Sequence, residues 1–366
     1  MDKILELDDN MRLYDPEARE KFNDLPEDKK AKSLSAKTFI LYPFELFYNQ
    51  KKTFEEKEHE TMYLIEEHLK KYKKCFVATS FGMDSIVLMD LVIKASKNVG
   101  CDIPDMFLND TLNIFKEEKQ YWTEIIELFG IQDQFRLFKP PKDKSGKQQT
   151  VWTIAEKYGH LPTFRSTARA KGHKTGSHGK TPECCNILKK ASMKKYLKQV
   201  KKETGVEYDC HFIGTRAEES RMRAISVLQR CRSYVITTLF PYHIRAVTPI
   251  SFWTKSDIYQ YYAKYNLPKN PAYKAHNMER MGCASCPAHK NWEIRLAKDP
   301  TNEGLGMLKQ NFKILKQTEP DRLIESIKTL KKYLDKKKSH EEISEVSRSK
   351  VLDIISQFDM PIEKAQ

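Results

Sequence analysis

The feature that most constrains this chain is a short apolar strand running directly into a glycine-bearing polar turn and then an amphipathic helix. Cys75-Phe76-Val77-Ala78-Thr79 suits a strand buried on both faces, Ser80-Phe81-Gly82-Met83-Asp84-Ser85 is polar, and Ile86 to Ser96 carries apolar residues at helical spacing. The rhythm repeats. Asp105 to Asn109 reads as a second strand, Ile114 to Phe129 as a helix and Phe135 to Phe138 as a third strand. Strands separated by helix-length crossovers pair in parallel, so the pattern predicts an α/β fold, a parallel sheet flanked by helices. Upstream, Met62, Leu64, Ile65, Leu69 and Tyr72 recur at helical spacing between Phe54 and Lys74. Downstream the reading is a helix from Cys185 to Glu203 and a strand from Tyr208 to Ile213. Thr254 then serves as N-cap for a helix from Lys255 to Tyr265.

Around this centre the chain divides into an N-terminal extension at 1–53, a main α/β domain at 54–294 and a helical C-terminal region at 295–366. The extension holds one apolar patch, Thr38 to Phe44, expected to pack on the main domain. The C-terminal region is Lys-rich, with Leu323, Ile324, Ile327 and Leu330 at helical spacing. A basic insertion at 139–180 interrupts the domain. It holds ten Lys or Arg against Asp143 and Glu156 alone, a net charge of +8. Apart from a short helix near Val151 to Tyr158, it reads as loop. The whole chain carries +14, a balance suited to a polyanionic partner. Trp152, His160 and Phe164 within the insertion are candidates for stacking on bases. A solvated insertion, or a lid over nucleotide phosphates, fits the same charge.

With 40% hydrophobic and 31% charged residues the composition is that of a soluble globular protein, which excludes a fibrous or disordered chain. No apolar run reaches the roughly 20 residues of a membrane span. Met1 to Asn10 holds no hydrophobic secretion core, so the expected compartment is the reducing cytoplasm. Eight cysteines are too sparse for a disulfide scaffold. Cys75, Cys101, Cys210 and Cys231 stand alone and read as buried small hydrophobes. Cys184-Cys185 and Cys283-x-x-Cys286 are clustered, and four thiolates suit either tetrahedral zinc or an iron–sulfur cluster. Adjacent side chains diverge in extended backbone, so Cys184 and Cys185 reach one centre only from a bent backbone at a helix start.

In the turn after the first strand, Gly82 lets backbone approach a phosphate, and the following helix offers N–H groups and a positive dipole. Ser80 and Ser85 add hydroxyls, and Asp84 can orient a Mg²⁺ or a substrate hydroxyl. The turn matches neither G-x-x-x-x-G-K-[ST] nor G-x-G-x-x-G. Ser80-x-Gly82-x-Asp84-Ser85 resembles the pyrophosphate loop of the adenine nucleotide α-hydrolase superfamily. Within it, the chain resembles the phosphoadenosine phosphosulfate (PAPS) reductase family over roughly Cys75 to Trp292. Asp110-Thr111 is similar to that family's Asp-Thr, although Leu112 stands where the family has Gly. Gly214-Thr215-Arg216-x-x-Glu219-Ser220-x-x-Arg223 resembles its phosphate-contact loop. Pro249-Ile250-x-x-Trp253-Thr254, Asn270-Pro271-x-Tyr273 and Arg280-Met281-Gly282-Cys283-x-x-Cys286-Pro287 follow its C-terminal pattern.

The resemblance implies an adenine nucleotide α-hydrolase-like fold binding ATP or PAPS through Ser80, Gly82, Asp84, Ser85, Asp110, Thr111, Gly214, Arg216 and Arg223. Catalytic roles fall to Asp84, Lys189 and Arg216, with Mg²⁺ on the pyrophosphate. Adjacent cysteines paired with a later C-x-x-C imply a [4Fe–4S] cluster on Cys184, Cys185, Cys283 and Cys286, with Lys189 beside it. True sulfonucleotide reductases in the family use a cysteine near the C-terminus and tend to lose the Asp-Ser of the loop. This chain has no cysteine after Cys286 and keeps Asp84-Ser85. The expectation is therefore an ATP pyrophosphatase-type, iron–sulfur sulfurtransferase resembling the sulfur-incorporation enzymes of DNA phosphorothioation. Its implied partners are a nucleic-acid acceptor and a cysteine desulfurase-like sulfur donor. The alternatives are a PAPS or adenylylsulfate reductase and a non-catalytic subunit that binds nucleotide and nucleic acid.

Overall fold

Among the described residues, six strands build the main sheet: β1 (Cys75–Thr79), β2 (Asp105–Asn109), β3 (Phe135–Phe138), β4 (Cys210–Ile213), β5 (Ser233–Ile236) and β6 (Ile244–Val247). The computed structural model describes residues 6–7, 13–14, 43–161, 183–236, 244–276, 278, 281–287, 291–299, 301–336 and 342–358. The first three strands form at the residues read from the sequence. β4 starts two residues later than expected, although Asp209 already bonds Lys74 and Arg245 through its backbone. The Tyr208 hydroxyl donates to Asp105 Oδ2 at 2.6 Å, and the Asp209 carboxylate accepts from the amides of Lys73 and Lys74 at 3.0 Å.

The sheet runs β3-β2-β1-β4-β6-β5. β1 pairs in parallel with β2 and with β4, with Phe76 opposite Asp105 on one side and His211 on the other, and β4 pairs in parallel with β6. The expectation of a parallel sheet needs one correction, since β5 pairs antiparallel with β6 at the edge. Its short Ser-Tyr-Val-Ile run carries no flanking turn signal that marks a strand in sequence. The strand order reverses between β1 and β4. In open α/β sheets that reversal leaves a crevice at the carboxyl ends of the two strands.

Two compact units divide the chain. One comprises Met1–Leu108, Ile125–Arg136 and Leu197–Lys269, the other Asn109–Glu124, Leu137–Tyr196 and Asn270–Gln366. In the first unit, Phe76 stacks between Phe107 and His211, with ring centroids 4.4 and 4.2 Å away. The Met83–Val99 helix buries Ile86 to Met89 as a continuous run and packs on the Phe54–Lys71 helix. Thr53 opens the latter with a capping box to Glu56. Thr254 does the same for Lys255–Lys264, as the sequence suggests, through Asp257. Asp257 in turn receives the buried Lys57 ammonium at 2.6 Å.

The second unit is helical around Leu308, Phe312, Leu315, Leu323, Ile327 and Leu330. Its helices are Asn302–Thr318, Pro320–Leu334 and Glu345–Phe358, and of the apolar spacing seen in the sequence Leu323, Ile327 and Leu330 are buried while Ile324 is half-buried. Val151–Tyr158 is helical as read. The expected helix from Cys185 instead comprises a turn at Glu183–Cys185, a π-helical segment at Asn186–Ala191 and an α-helix at Ser192–Thr204. Of the lone cysteines, Cys75, Cys210 and Cys231 are buried as expected, but Cys101 is exposed. It follows the left-handed Gly100 that ends the Met83–Val99 helix at the surface. Among the described residues no helix is long and apolar enough to cross a membrane.

Candidate functional sites: a phosphate-loop centre and a cysteine centre

The first centre lies in the first unit, where the loops after β1 and β4 leave neighbouring strands. Ser80 Oγ and Ser85 Oγ lie 3.1 Å apart, and the Ser80 amide donates to Ser85 Oγ at 3.2 Å, which closes the turn. Phe81 between them has φ 52°. Its fully buried ring packs edge-on to Phe135, burial that offsets the cost of a left-handed backbone. Gly82 is the N-cap of Met83–Val99 and has no side chain to satisfy the first turn. The first-turn N–H groups therefore have no intrahelical partner and present positive dipole, the arrangement that suits an anion.

The loop after β4 closes against this helix start. A Cβ on Gly214 would stand 3.3 Å from the Asp84 carbonyl oxygen, so glycine permits the approach. Arg216, 7% exposed, donates Nε to Asp84 Oδ1 at 2.8 Å and NH1 to Glu218 Oε2 at 2.8 Å. Its own amide donates to Glu219 Oε2. Arg223 ion-pairs with Glu219, and its amide is capped by Ser220 Oγ at 3.3 Å. The sequence-named residues Ser80, Gly82, Asp84, Ser85, Gly214 and Arg216 thus come together, while the contacts of Arg223 named here fall on Glu219 and Ser220.

The second centre lies in the second unit. Cys184 and Cys185 sit on consecutive positions of a helical turn, the bent backbone their adjacency requires. The buried Cys184 thiol is held well above its ordinary range by a hydrogen bond with Cys185, by burial, and by the neighbouring sulfurs of Cys185, Cys286 and Cys283. The sulfurs of Cys185, Cys283 and Cys286 thus all lie near enough to Cys184 to act on it. A single zinc ion holds thiolates at about 2.3 Å, which draws the sulfurs to within roughly 4 Å of one another. Four thiols are a donor set that suits either a tetrahedral zinc ion or an iron–sulfur cluster.

Thr111 joins this centre. It is buried, and its hydroxyl accepts from Cys283 Sγ at 3.4 Å. Asp110 Oδ1 accepts the Leu112 amide at 2.8 Å, and Lys119 lies 3.9 Å from its other oxygen. Leu112 has φ 58°, the backbone that glycine adopts without cost. The exposed Lys189 stands on the π-helical segment. Asn109 Nδ2 donates to the carbonyls of Leu188 and Lys189 at 2.7 and 3.2 Å, bonding oxygens of that widened turn.

Several residues here escaped the sequence reading. The Asn113 carbonyl accepts the Ala284 amide at 2.7 Å, and its side chain bonds Ser285 through both amide and hydroxyl. His276 is fully buried, stacked on Phe115 and held between Asp299 at 2.9 Å and Glu117 at 2.7 Å. Its hydrogen bond keeps the Glu117 carboxyl below the ordinary range, whereas burial pushes Glu118 up to about 7. Single Asn and His residues carry no periodic signal, so nothing in the sequence could have singled them out.

Trp152, one of the base-stacking candidates, is half-buried. Its indole N–H donates to Asn311 Oδ1 at 3.0 Å and its ring packs on the C-terminal helical core. His160 is half-buried, and Phe164 lies outside the described residues, as do residues 162–180 of the basic insertion and Arg280.

A sequence profile of the phosphoadenosine phosphosulfate reductase domain matches residues 74–289. No curated protein sequence matches the chain. Similar solved structures include the PAPS reductase of Candida auris, at 15% identity, covering 66% of this chain and 96% of that one with a TM-score of 0.41. The FMN adenylyltransferase of Candida glabrata is 14% identical, covers 71% of this chain and 70% of its own, and gives a TM-score of 0.39. The U34-tRNA thiolase NcsA of Methanococcus maripaludis, solved with its [4Fe–4S] cluster, is 12% identical. It covers 72% of this chain and 80% of its own, with a TM-score of 0.38.

Proposed function

This chain belongs to the phosphoadenosine phosphosulfate reductase domain family, and on that premise we propose that it is an ATP pyrophosphatase-type sulfurtransferase that inserts sulfur into nucleic acid, as in DNA phosphorothioation. The observation that carries the reading is Asp84 in the first turn of a phosphate-loop helix, paired at 2.8 Å with a nearly buried Arg216. A reductase leaves ATP intact and has no use for that carboxylate. An enzyme that splits ATP between its α- and β-phosphates needs groups that hold the leaving pyrophosphate and a carboxylate that orients the reacting oxygen or its metal.

The N–H groups at the start of Met83–Val99 and the hydroxyls of Ser80 and Ser85 hold the pyrophosphate. Arg216 adds a charge, and Glu218 and Asp84 fix its guanidinium in place beforehand. An acceptor oxygen attacks the α-phosphorus, the α–β bridging bond breaks, and pyrophosphate leaves. A sulfur nucleophile then displaces AMP, which carries the acceptor oxygen away. Mg²⁺, when bound, offsets charge on the pyrophosphate, with Asp84 as the residue to hold it. A [4Fe–4S] cluster, when bound by Cys184, Cys185, Cys283 and Cys286, supplies the chemistry of handling sulfur. Lys189 adds positive charge beside the cysteine pair. The +8 insertion supports a nucleic-acid acceptor through phosphate contacts.

The test is AMP and pyrophosphate formation by anaerobically purified protein given ATP, Mg²⁺, sulfide and an oligonucleotide. Asp84→Ala is expected to lower turnover by roughly 100-fold or more, the scale of losing one transition-state contact, with the fold retained by circular dichroism. Unchanged turnover would remove Asp84 from the reaction. Sulfite release from PAPS would put a reductase in its place, and no pyrophosphate with any oligonucleotide would leave a binding subunit.

A further inference from the structure

The family profile ends at residue 289, yet the backbone of the C-x-x-C turn is held from beyond that point. The Ala284 carbonyl accepts from the Arg295 guanidinium. The Ser285 carbonyl accepts from Asn311 Nδ2 at 2.9 Å, and the Pro287 carbonyl from Arg322 NH2 at 3.3 Å. From the other side Asn113 takes the Ala284 and Ser285 amides, and the Cys286 amide closes the turn on the Cys283 carbonyl at 3.1 Å. Ala284, Ser285 and Asn311 are fully buried. A buried turn without a ladder must find partners for its backbone groups elsewhere. Here side chains from the 292–297, 302–318 and 320–334 helices provide them.

We propose that Arg295, Asn311 and Arg322 are positioning residues that make the C-terminal helical region part of the cysteine centre, fixing the turn so that Cys283 and Cys286 point toward the Cys184–Cys185 pair. The inference rests on the four-thiolate reading of that centre. Its physical logic is that four ligands from two distant segments bind a cluster well only if both segments are rigid beforehand. Asn311 does more than fill space. Its Oδ1 takes the Trp152 indole proton at 3.0 Å, which fixes the amide so that Nδ2 faces the turn. Arg322 is likewise oriented by Glu319 Oε2 and the Leu161 carbonyl, both at 3.0 Å.

Two readouts separate this inference from the cluster itself. In iron-free, reduced full-length protein, alkylation rates of the individual cysteines are followed by mass spectrometry. Asn311→Leu is expected to speed labelling of Cys283 and Cys286 by about 10-fold relative to the buried Cys184, and Trp152→Phe, which keeps the Asn311 amide but removes the bond that orients it, by a smaller factor. In anaerobically reconstituted protein, Asn311→Leu should alter the reduced-cluster EPR spectrum and shorten its survival under chelator about 10-fold. If Asn311→Leu does not fold, Arg322→Gln is read instead, with the same expectation. Equal labelling in a folded Asn311 or Arg322 variant overturns the proposal, as does acceleration spread evenly over all cysteines. A wild type that takes up no iron removes the cluster reading, and the alkylation arm still decides whether these residues position the turn.

Discussion

Leu112 occupies a left-handed backbone at φ 58°, directly after Asp110-Thr111 and one residue before the Asn113 that clamps the cysteine turn. For a residue with a Cβ this costs about 1–2 kcal/mol. It persists because the Leu112 amide is tied to Asp110 Oδ1 and its neighbours are buried on either side. Leu112→Gly relieves the strain but adds freedom to the unfolded chain and gives up half-buried contacts. The opposing changes should leave urea stability within about 1 kcal/mol of wild type. Leu112→Val, branched where the backbone is already crowded, should cost about 2 kcal/mol. A glycine variant less stable than the valine variant would show that the conformation carries no strain. The resemblance had expected Gly at this position, and the backbone geometry is the one a glycine there would take.

At the scale of the element, β4 is the sheet's central acid-sensitive strand. His211 lies buried between neighbouring strands with its ring on Phe76, and neither ring nitrogen has a partner among the described residues. Burial lowers its pKa to about 3, and His68 on the Phe54–Lys71 helix is lowered to about 4, first of all by burial. Both folded values lie below the unfolded value near 6.5, so below that pH the unfolded chain takes up protons that the folded one refuses. Stability is then full above pH 6.5 and is lost as pH falls toward the folded values. Each histidine contributes up to about 1.4 kcal/mol per pH unit in that range. His211→Phe should flatten the fall in urea midpoint between pH 6 and 4 by about that amount per unit relative to wild type. Parallel curves for the two proteins would mean that His211 is protonated in the folded state.

For the whole molecule, the C-terminal region joins the second unit's core. Val351, Ile354, Ile355 and Phe358 of the Glu345–Phe358 helix and Ile343 before it are buried against the preceding helices. At about 1.5–3 kcal/mol for each side chain fully buried, they match a typical domain's net stability. Removing residues 342–366 should therefore abolish cooperative unfolding of that unit and expose apolar surface to dye. An unchanged denaturation curve would show the last helix to be an appendage. The sequence by itself determined the strand–turn–helix order, the polar Ser80–Ser85 turn between β1 and its helix, and the capping of Lys255–Lys264. Those signals are local, written in spacing, glycines and caps. Only tertiary structure decided the antiparallel edge of the sheet, the π-helical turn after Cys185, and the hold of Asn113, Arg295, Asn311 and Arg322 on the cysteine turn. Such contacts depend on which buried backbone groups lack a ladder partner, and a linear pattern does not record that until the chain has folded.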